Sequence, residues 1–193
     1  MKLPRRTIIL LITAVAATLL AVVNAQLILP QMGKANIKDL KDPQLVIRKS
    51  ARMLEVYNGP KLVRSFPVAL GFSPELDKEL EGDGRTPEGE FYVFTKNPKS
   101  RFHLSLGLSY PAPDDARRGL AAGLITPVEH TAILRSAEEK DMPPQKTGLG
   151  GEIYIHGGGT ANDWTDGCIA LNNDEMTELF EAVPVGTRVK IVK

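Results

Sequence analysis

Residues 152–172 read EIYIHGGGTANDWTDGCIALN. The first five alternate in the manner of a strand and end on His156. Three glycines follow at 157–159, and Thr165-Asp166-Gly167-Cys168 leads into a short apolar stretch. Twelve residues part His156 from Cys168, too many for one secondary element and enough for a loop to bring the two side chains face to face. A thiol becomes a nucleophile at neutral pH when a base within hydrogen-bond reach takes its proton and donors are aimed at the oxyanion that forms. Cys168 is the candidate nucleophile and His156 the candidate general base. Gly167 lets backbone approach a substrate closely, and the amides flanking Cys168 are candidate oxyanion donors.

Cys168 is the only cysteine of the 193 residues, so no intramolecular disulfide forms. The chain opens MKLPRRTIILLITAVAATLLAVVNAQ: a basic start, an uncharged run from Thr7 to Val23, and Val23-Asn24-Ala25 as a small-residue cleavage site. This is the pattern of an export signal; the run is rather long for a cleaved apolar core and rather short for a spanning helix, which leaves an uncleaved membrane anchor as the alternative. Exported proteins tend to use cysteines in pairs, so a lone exported thiol asks for a reason. The bland alternative is a small buried hydrophobe.

The formal charge is +1, and without Lys2, Arg5 and Arg6 the remainder carries 21 basic against 23 acidic residues, which offers no electrostatic case for nucleic acid. Other chemistries fall on their motifs. His-Gly-Gly-Gly is used as an oxyanion loop in lipases, but no serine sits in a G-x-S-x-G elbow. His103, His130, His156 and Cys168 lack the spacing of zinc ligands, and the glycine runs match neither phosphate-binding fingerprint, so no metal or cofactor is expected.

Outward from the central stretch, Gln44–Lys49, Met53–Tyr57 and Lys61–Phe66 read as strands, the last two joined by the turn residues Asn58-Gly59. Phe91–Phe94 and Thr187–Val192 are further strands. Thr126-Pro127-Val128-Glu129 is a helix start, with a helix expected from Pro127 towards Glu139. A second helix begins near Asn173 with Met176, Leu179, Phe180 and Val183 on one face and stops at Pro184; a shorter one is expected over 114–122. The expected organisation is a signal peptide or anchor at 1–25, a tether at 26–43 and one mainly β domain with flanking helices at 44–193. His103 precedes Leu104-Ser105-Leu106-Gly107-Leu108-Ser109-Tyr110, whose polar groups are candidates to line a cleft, and Trp164 is a candidate platform for substrate.

Residues 44–193 resemble the catalytic domain of the L,D-transpeptidases, the YkuD domain. The resemblance rests on the opening hairpin, Phe66–Gly71, Gly82-Asp83-Gly84-Arg85-Thr86-Pro87-Glu88-Gly89 with its aromatic strand, Ile155-His156-Gly157 and Gly167-Cys168-Ile169, in the family's order. It implies a β-sandwich or barrel and a cysteine acyltransferase of peptidoglycan biosynthesis, acting in the periplasm or cell envelope. Cys168 would be acylated by a stem peptide and sensitive to carbapenems, His156 would be its base, and Gly157, Gly167 and Thr165 would shape the loop and its oxyanion contacts. His103, Tyr110, Trp164, Asp166 and Arg85 are the candidate substrate contacts. Two positions depart from the family pattern: Asp166 precedes Gly-Cys, and Ala170 stands where an arginine is usual. The alternatives are an L,D-carboxypeptidase or amidase on the same fold, and a non-catalytic peptidoglycan-binding module. The expected partners are stem peptides, with membrane anchoring through the N-terminal segment weighed and no oligomeric state assigned.

Overall fold

The computed structural model describes residues 37–193; the expected signal or anchor at 1–25 lies outside the described residues. These form strands β1 (Pro43–Arg48), β2 (Met53–Asn58), β3 (Lys61–Pro67), β4 (Gly89–Ser100), β5 (His103–Leu108), β6 (Tyr154–His156), β7 (Ile169–Ala170) and β8 (Arg188–Val192). The helices are α1 (Pro113–Ala121), α2 (Pro127–Glu139) and α3 (Asn173–Ala182). The strands lie in the order β3-β2-β1-β8-β4-β5-β6-β7. It is a mostly β fold: one curled sheet with three helices.

Alternation decides which faces are inside. Leu45 and Ile47, Leu54 and Val56, and Val189 and Ile191 all turn inward from neighbouring strands, as a period of two requires. Strand β4 joins the two halves: Gly89–Tyr92 pairs with β8, and Val93–Ser100 pairs with β5. Buried on both faces there, it carries the consecutive apolar run Phe91-Tyr92-Val93. The sheet curls far enough for its ends to meet. Beyond β3, Ala69 bridges to Ala170 of β7 and Gly71 bridges to Thr165.

The helices begin where their signals stand. At α2, Glu129 N–H donates to Thr126 Oγ1 at 3.2 Å while Glu129 Oε2 accepts from Thr126 N–H at 2.7 Å. Helix α3 inserts Met176, Leu179 and Ala182, followed by Val183, into the main core. Phe180, expected on the same face, is partly buried, with the Lys96 ammonium 4.5 Å from its ring centre. Helices α1 and α2 enclose a smaller core of Ala116, Ile125, Ile133 and Leu149. Tyr92 joins this layer to the sheet, its hydroxyl lying 2.8 Å from Ser136 O and 2.6 Å from Asp141 O.

Three features differ from expectation. Residues 103–108, for which no element was expected, form strand β5; of its polar groups and those that follow, Ser105 lines the cleft while Ser109 is buried and accepts from Tyr92 N–H. Gly107 is buried against the neighbouring strand β4, where a Cβ at 107 would lie 2.8 Å from the Phe94 ring. Within the expected tether, a 3₁₀ turn at Ile37–Asp39 places Ile37 in the core at 1 % exposure, so the packed unit begins before residue 44. Two lysines are almost fully buried. Lys49 Nζ donates to Leu76 O, Thr86 O and Glu88 Oε1, and Lys78 Nζ donates to Leu80 O and Asp83 Oδ1. Lys49, just past the end of β1, fastens the irregular 68–88 segment to the sheet, and Lys78 braces that segment from within.

Candidate active site

Strands β6 and β7 run parallel, with Ile155 opposite Ile169 and His156 opposite Ala170. A parallel pair needs a crossover of about a dozen residues, which the 157–168 loop supplies. His156 and Tyr154 share one face of β6, and Cys168 immediately precedes β7, with its sulfur against the main chain of Glu152 and Tyr154, so that thiol and imidazole come to the same end of the pair. His156 and Cys168 line one cleft of about 1110 Å3. One wall is the tip of the β4–β5 hairpin, Asn97–Phe102; the other is the 145–153 segment with its glycines.

His156 is 3 % exposed and its ring is fixed on three sides. Nδ1 lies 2.5 Å from Gly157 O, which can only accept, so Nδ1 carries the proton and Nε2 keeps its lone pair. Phe102 stacks on the imidazole at 4.7 Å and 22°, and Trp164 meets it edge-on at 5.6 Å. Burial lowers the imidazole's pKa from its ordinary value, the bond to Gly157 opposes that shift, and the Arg101 charge adds to it. His156 is therefore neutral at pH 7.

Cys168 is half-buried. Its Sγ lies 3.4 Å from Glu152 O, to which the thiol donates, and accepts from Tyr154 N–H at 3.4 Å. Burial pushes the thiol up to about 11; the Tyr154 amide works against this, while the charges of Asp166 and Glu152 add to it. The resting pair is thus thiol and neutral imidazole. Tyr154 and Glu152 contribute main-chain groups to the site, and Phe102 contributes its ring. None of the three was identified from sequence, because only the strand pairing and the hairpin bring them to the sulfur and the imidazole.

The glycines shape the loop by their lack of a side chain. A Cβ at 157 would stand 2.5 Å from Asn173 Oδ1 and 2.9 Å from Phe102 O. Gly167 has φ +130°, and a Cβ there would approach Arg85 O to 2.7 Å. Their amides are already used, against the expectation that they serve an oxyanion: Gly157 N–H donates to Leu104 O at 3.3 Å and Gly167 N–H to Thr165 Oγ1 at 3.2 Å. Thr165, 4 % exposed, also donates to Cys168 O at 2.7 Å and so sets the turn before the sulfur. A further anchor is Asp163, which accepts from Leu70 N–H and pairs with Arg52.

The expected substrate contacts divide. Trp164 and Asp166 line the cleft, Trp164 held by Nε1–H donating to Gly159 O. Tyr110 does not reach it: the residue is 0 % exposed, and its hydroxyl donates to Leu149 O inside the fold. His103 is also outside the lining. With φ +75° it ends the hairpin turn, and its Nε2 lies 2.8 Å from Thr177 Oγ1 on α3. The Arg85 guanidinium is engaged by Asp77 O and Glu79; only its backbone meets the catalytic loop, against Gly167. His130 lies in α2. Among the described residues no group of three His, Cys, Asp or Glu side chains could hold a metal ion.

Comparison with known proteins adds the family. The profile of the L,D-transpeptidase catalytic domain (YkuD) matches residues 42–191. YqjB of Bacillus subtilis (strain 168), a protein provisionally named as an L,D-transpeptidase, is 28 % identical over 155 residues, covering 78 % of this chain and 71 % of its own. Among solved structures, the helical cell shape determining protein Pgp2 of Campylobacter jejuni superposes with a TM-score of 0.53 at 24 % identity, over 84 % of this chain and 53 % of that one. Bd1075 of Bdellovibrio bacteriovorus gives 0.50 at 20 % identity, over 79 % of this chain and 48 % of its own. This chain spans about half the length of these two solved relatives, and at such identities the likeness is one of fold.

Proposed function

We propose that this chain, which belongs to the L,D-transpeptidase catalytic-domain (YkuD) family, is a peptidoglycan L,D-transpeptidase that works through a thioester on Cys168. The observation that carries the proposal is the one cleft to which the parallel β6–β7 pairing brings His156 and Cys168. That cleft holds a thiol and a neutral imidazole whose Nε2 is left to accept a proton.

In the proposed reaction Sγ attacks the carbonyl carbon of the third stem residue as its proton passes to His156 Nε2. The carbonyl oxygen takes the electron pair of the broken π bond. Its candidate donors are the Tyr154 N–H, aimed at the sulfur, and the Cys168 N–H, which has no acceptor among the described residues. Collapse breaks the C–N bond, His156 returns its proton to the departing amine of D-alanine, and a thioester remains. An amine of a neighbouring stem then attacks the thioester carbon, loses its proton to His156, and leaves as a new amide while the thiol is restored. Water in place of the amine would make the enzyme an L,D-carboxypeptidase. The two negative charges near the sulfur, Asp166 and Glu152, suit the approach of a cationic amine, which gives up its extra proton to solvent before it attacks.

The proposed setting is the cell envelope, reached through the exported N-terminal segment, with the domain working on the wall and contributing to cell shape. Among the described residues no helix is long and apolar enough to cross a membrane, and anchoring through the N-terminal segment belongs to the same proposal. The test is incubation with tetrapeptide-bearing muropeptides and a carbapenem, read by mass spectrometry. A cross-linked dimer and a one-to-one carbapenem adduct on Cys168 are expected, both lost in Cys168→Ala and His156→Ala. Only trimmed stems would assign the hydrolase; muropeptide binding that survives Cys168→Ala, with no product from wild type, would reduce the domain to a binding module.

A further inference from the structure

Arginine side chains in this structure are almost all committed. Each described arginine other than Arg101 is ion-paired, including the exposed ones on helix surfaces. Arg101 has no carboxylate partner among the described residues, and it lines the cleft. It stands with Phe102 in the two-residue turn between Ser100 and His103, which pair across the hairpin. That turn is not loosely placed: His103 takes the left-handed conformation and its imidazole is bonded to Thr177 on α3.

The guanidinium carbon of Arg101 sits 4.6 Å from the centre of the Phe102 ring, and that ring stacks on the His156 imidazole at 4.7 Å. The cation is therefore held two stacking steps from the base, oriented by the aromatic ring and free to use its planar fork. Lys99 and Lys146 also line the cleft without an ion pair, but neither ammonium rests on a ring. Elsewhere in the lining, Glu152 and Asp166 place negative charge around the sulfur. A peptide carrying a carboxylate is repelled there and drawn to the hairpin tip.

We infer that Arg101 is a specificity-determining residue that binds one carboxylate of the peptide donor and so sets which way the peptide lies between His156 and Cys168. The assignment rests on the stem-peptide acyl-transfer reading of the cleft. A bidentate guanidinium–carboxylate pair formed in a cleft that the substrate itself closes is stronger than the same pair in open water, and its geometry fixes direction as well as affinity.

The test compares wild type, Arg101→Gln and Arg101→Lys in the full chain, on donor tetrapeptides in which each carboxylate in turn is amidated. Release of D-alanine is followed, and equal melting temperatures establish that the variants fold alike. Arg101→Gln is expected to raise KM for the unmodified donor by about tenfold or more, the factor of one lost charge-assisted pair, with kcat within about threefold. Arg101→Lys should fall between, since it keeps the charge and loses the fork. One amidation should cost wild type the same factor and cost Arg101→Gln nothing. If Arg101→Gln keeps the wild-type KM, or every amidation costs both proteins equally, the assignment is wrong and the acyl-transfer reading stands. If wild type releases D-alanine from no donor, that reading fails and takes the assignment with it.

Discussion

A thiol pushed up to about 11 leaves about one molecule in ten thousand as thiolate at pH 7, so the sulfur of Cys168 is not stored in its reactive form. It must lose its proton as it attacks, and His156 is neutral and able to take it. The sign of the shift gives a measurable consequence. Alkylation by iodoacetamide should rise about tenfold per pH unit from pH 7 to 9 without levelling, whereas an unperturbed cysteine begins to level near 8.5. A rate that is flat from pH 6 to 8 would mean a thiolate–imidazolium pair and would refute the neutral resting state. The second residue-scale expectation concerns Gly157, whose carbonyl orients the imidazole and whose α-carbon is walled in by Asn173 and Phe102. Gly157→Ala should destabilise the fold by about 1–3 kcal/mol and slow acylation of Cys168 at least tenfold, as read by urea titration and intact-protein mass spectrometry. An alanine variant that acylates at the wild-type rate would show that the loop tolerates displacement there.

At the scale of elements, the catalytic loop and the 68–88 segment support one another. Gly71 N–H donates to Thr86 Oγ1, Phe72 N–H to Thr165 O, and Asp163 fastens the far side of the catalytic loop to Leu70 and Arg52. The 68–88 segment turns on Asp83, whose carboxylate accepts from the Lys78 ammonium and from the amides of Glu79, Leu80 and Arg85. Burial would raise its pKa, but these donors together outweigh burial and hold it below the usual 3.8. A carboxyl depressed on folding contributes stability above its unfolded pKa and loses it as pH falls through the folded value. Asp83→Asn should therefore cost about 1–3 kcal/mol at pH 7, and the difference from wild type should shrink as unfolding is repeated down to pH 3. An equal gap at both pH values would mean that the loss is steric and not one of charge.

For the whole molecule, the question is where the folding unit starts. Ile37 is 1 % exposed and sits in the main core, with its 3₁₀ turn packed on α3, although the strand pattern begins only at Pro43. Ile37→Ala should lower stability by about 2–4 kcal/mol, and a chain begun at residue 44 should melt several degrees below one begun at residue 36. Differential scanning calorimetry of the three proteins decides it; equal melting temperatures would return residues 37–43 to the role of a tether. The same core links the site to the fold: Ile155 and Ile169, each adjacent to a proposed catalytic residue, are both fully buried in it.

Much of this protein was legible one residue after another. The Asn58-Gly59 turn, the Thr126 and Glu129 cap and the Pro184 stop act through neighbours in sequence, so β2, β3, α2 and α3 could be read without a structure. The motif around His156 and Cys168 was equally plain, since a loop of that length between a base and a thiol is itself a local feature. Strand β5 was not, because its glycine, Gly107, is small to fit the Phe94 ring of the paired strand β4, a reason that only the pairing reveals. Nor were the buried lysines, Tyr110 in the core, or the engagement of Arg85 by Asp77 and Glu79. Which arginine is left unpaired is a property of all the charges at once. The chain order named the candidate thiol and base; only the parallel pairing of β6 with β7 decided that they line one cleft, because register between strands is set by long-range packing and not by either strand alone.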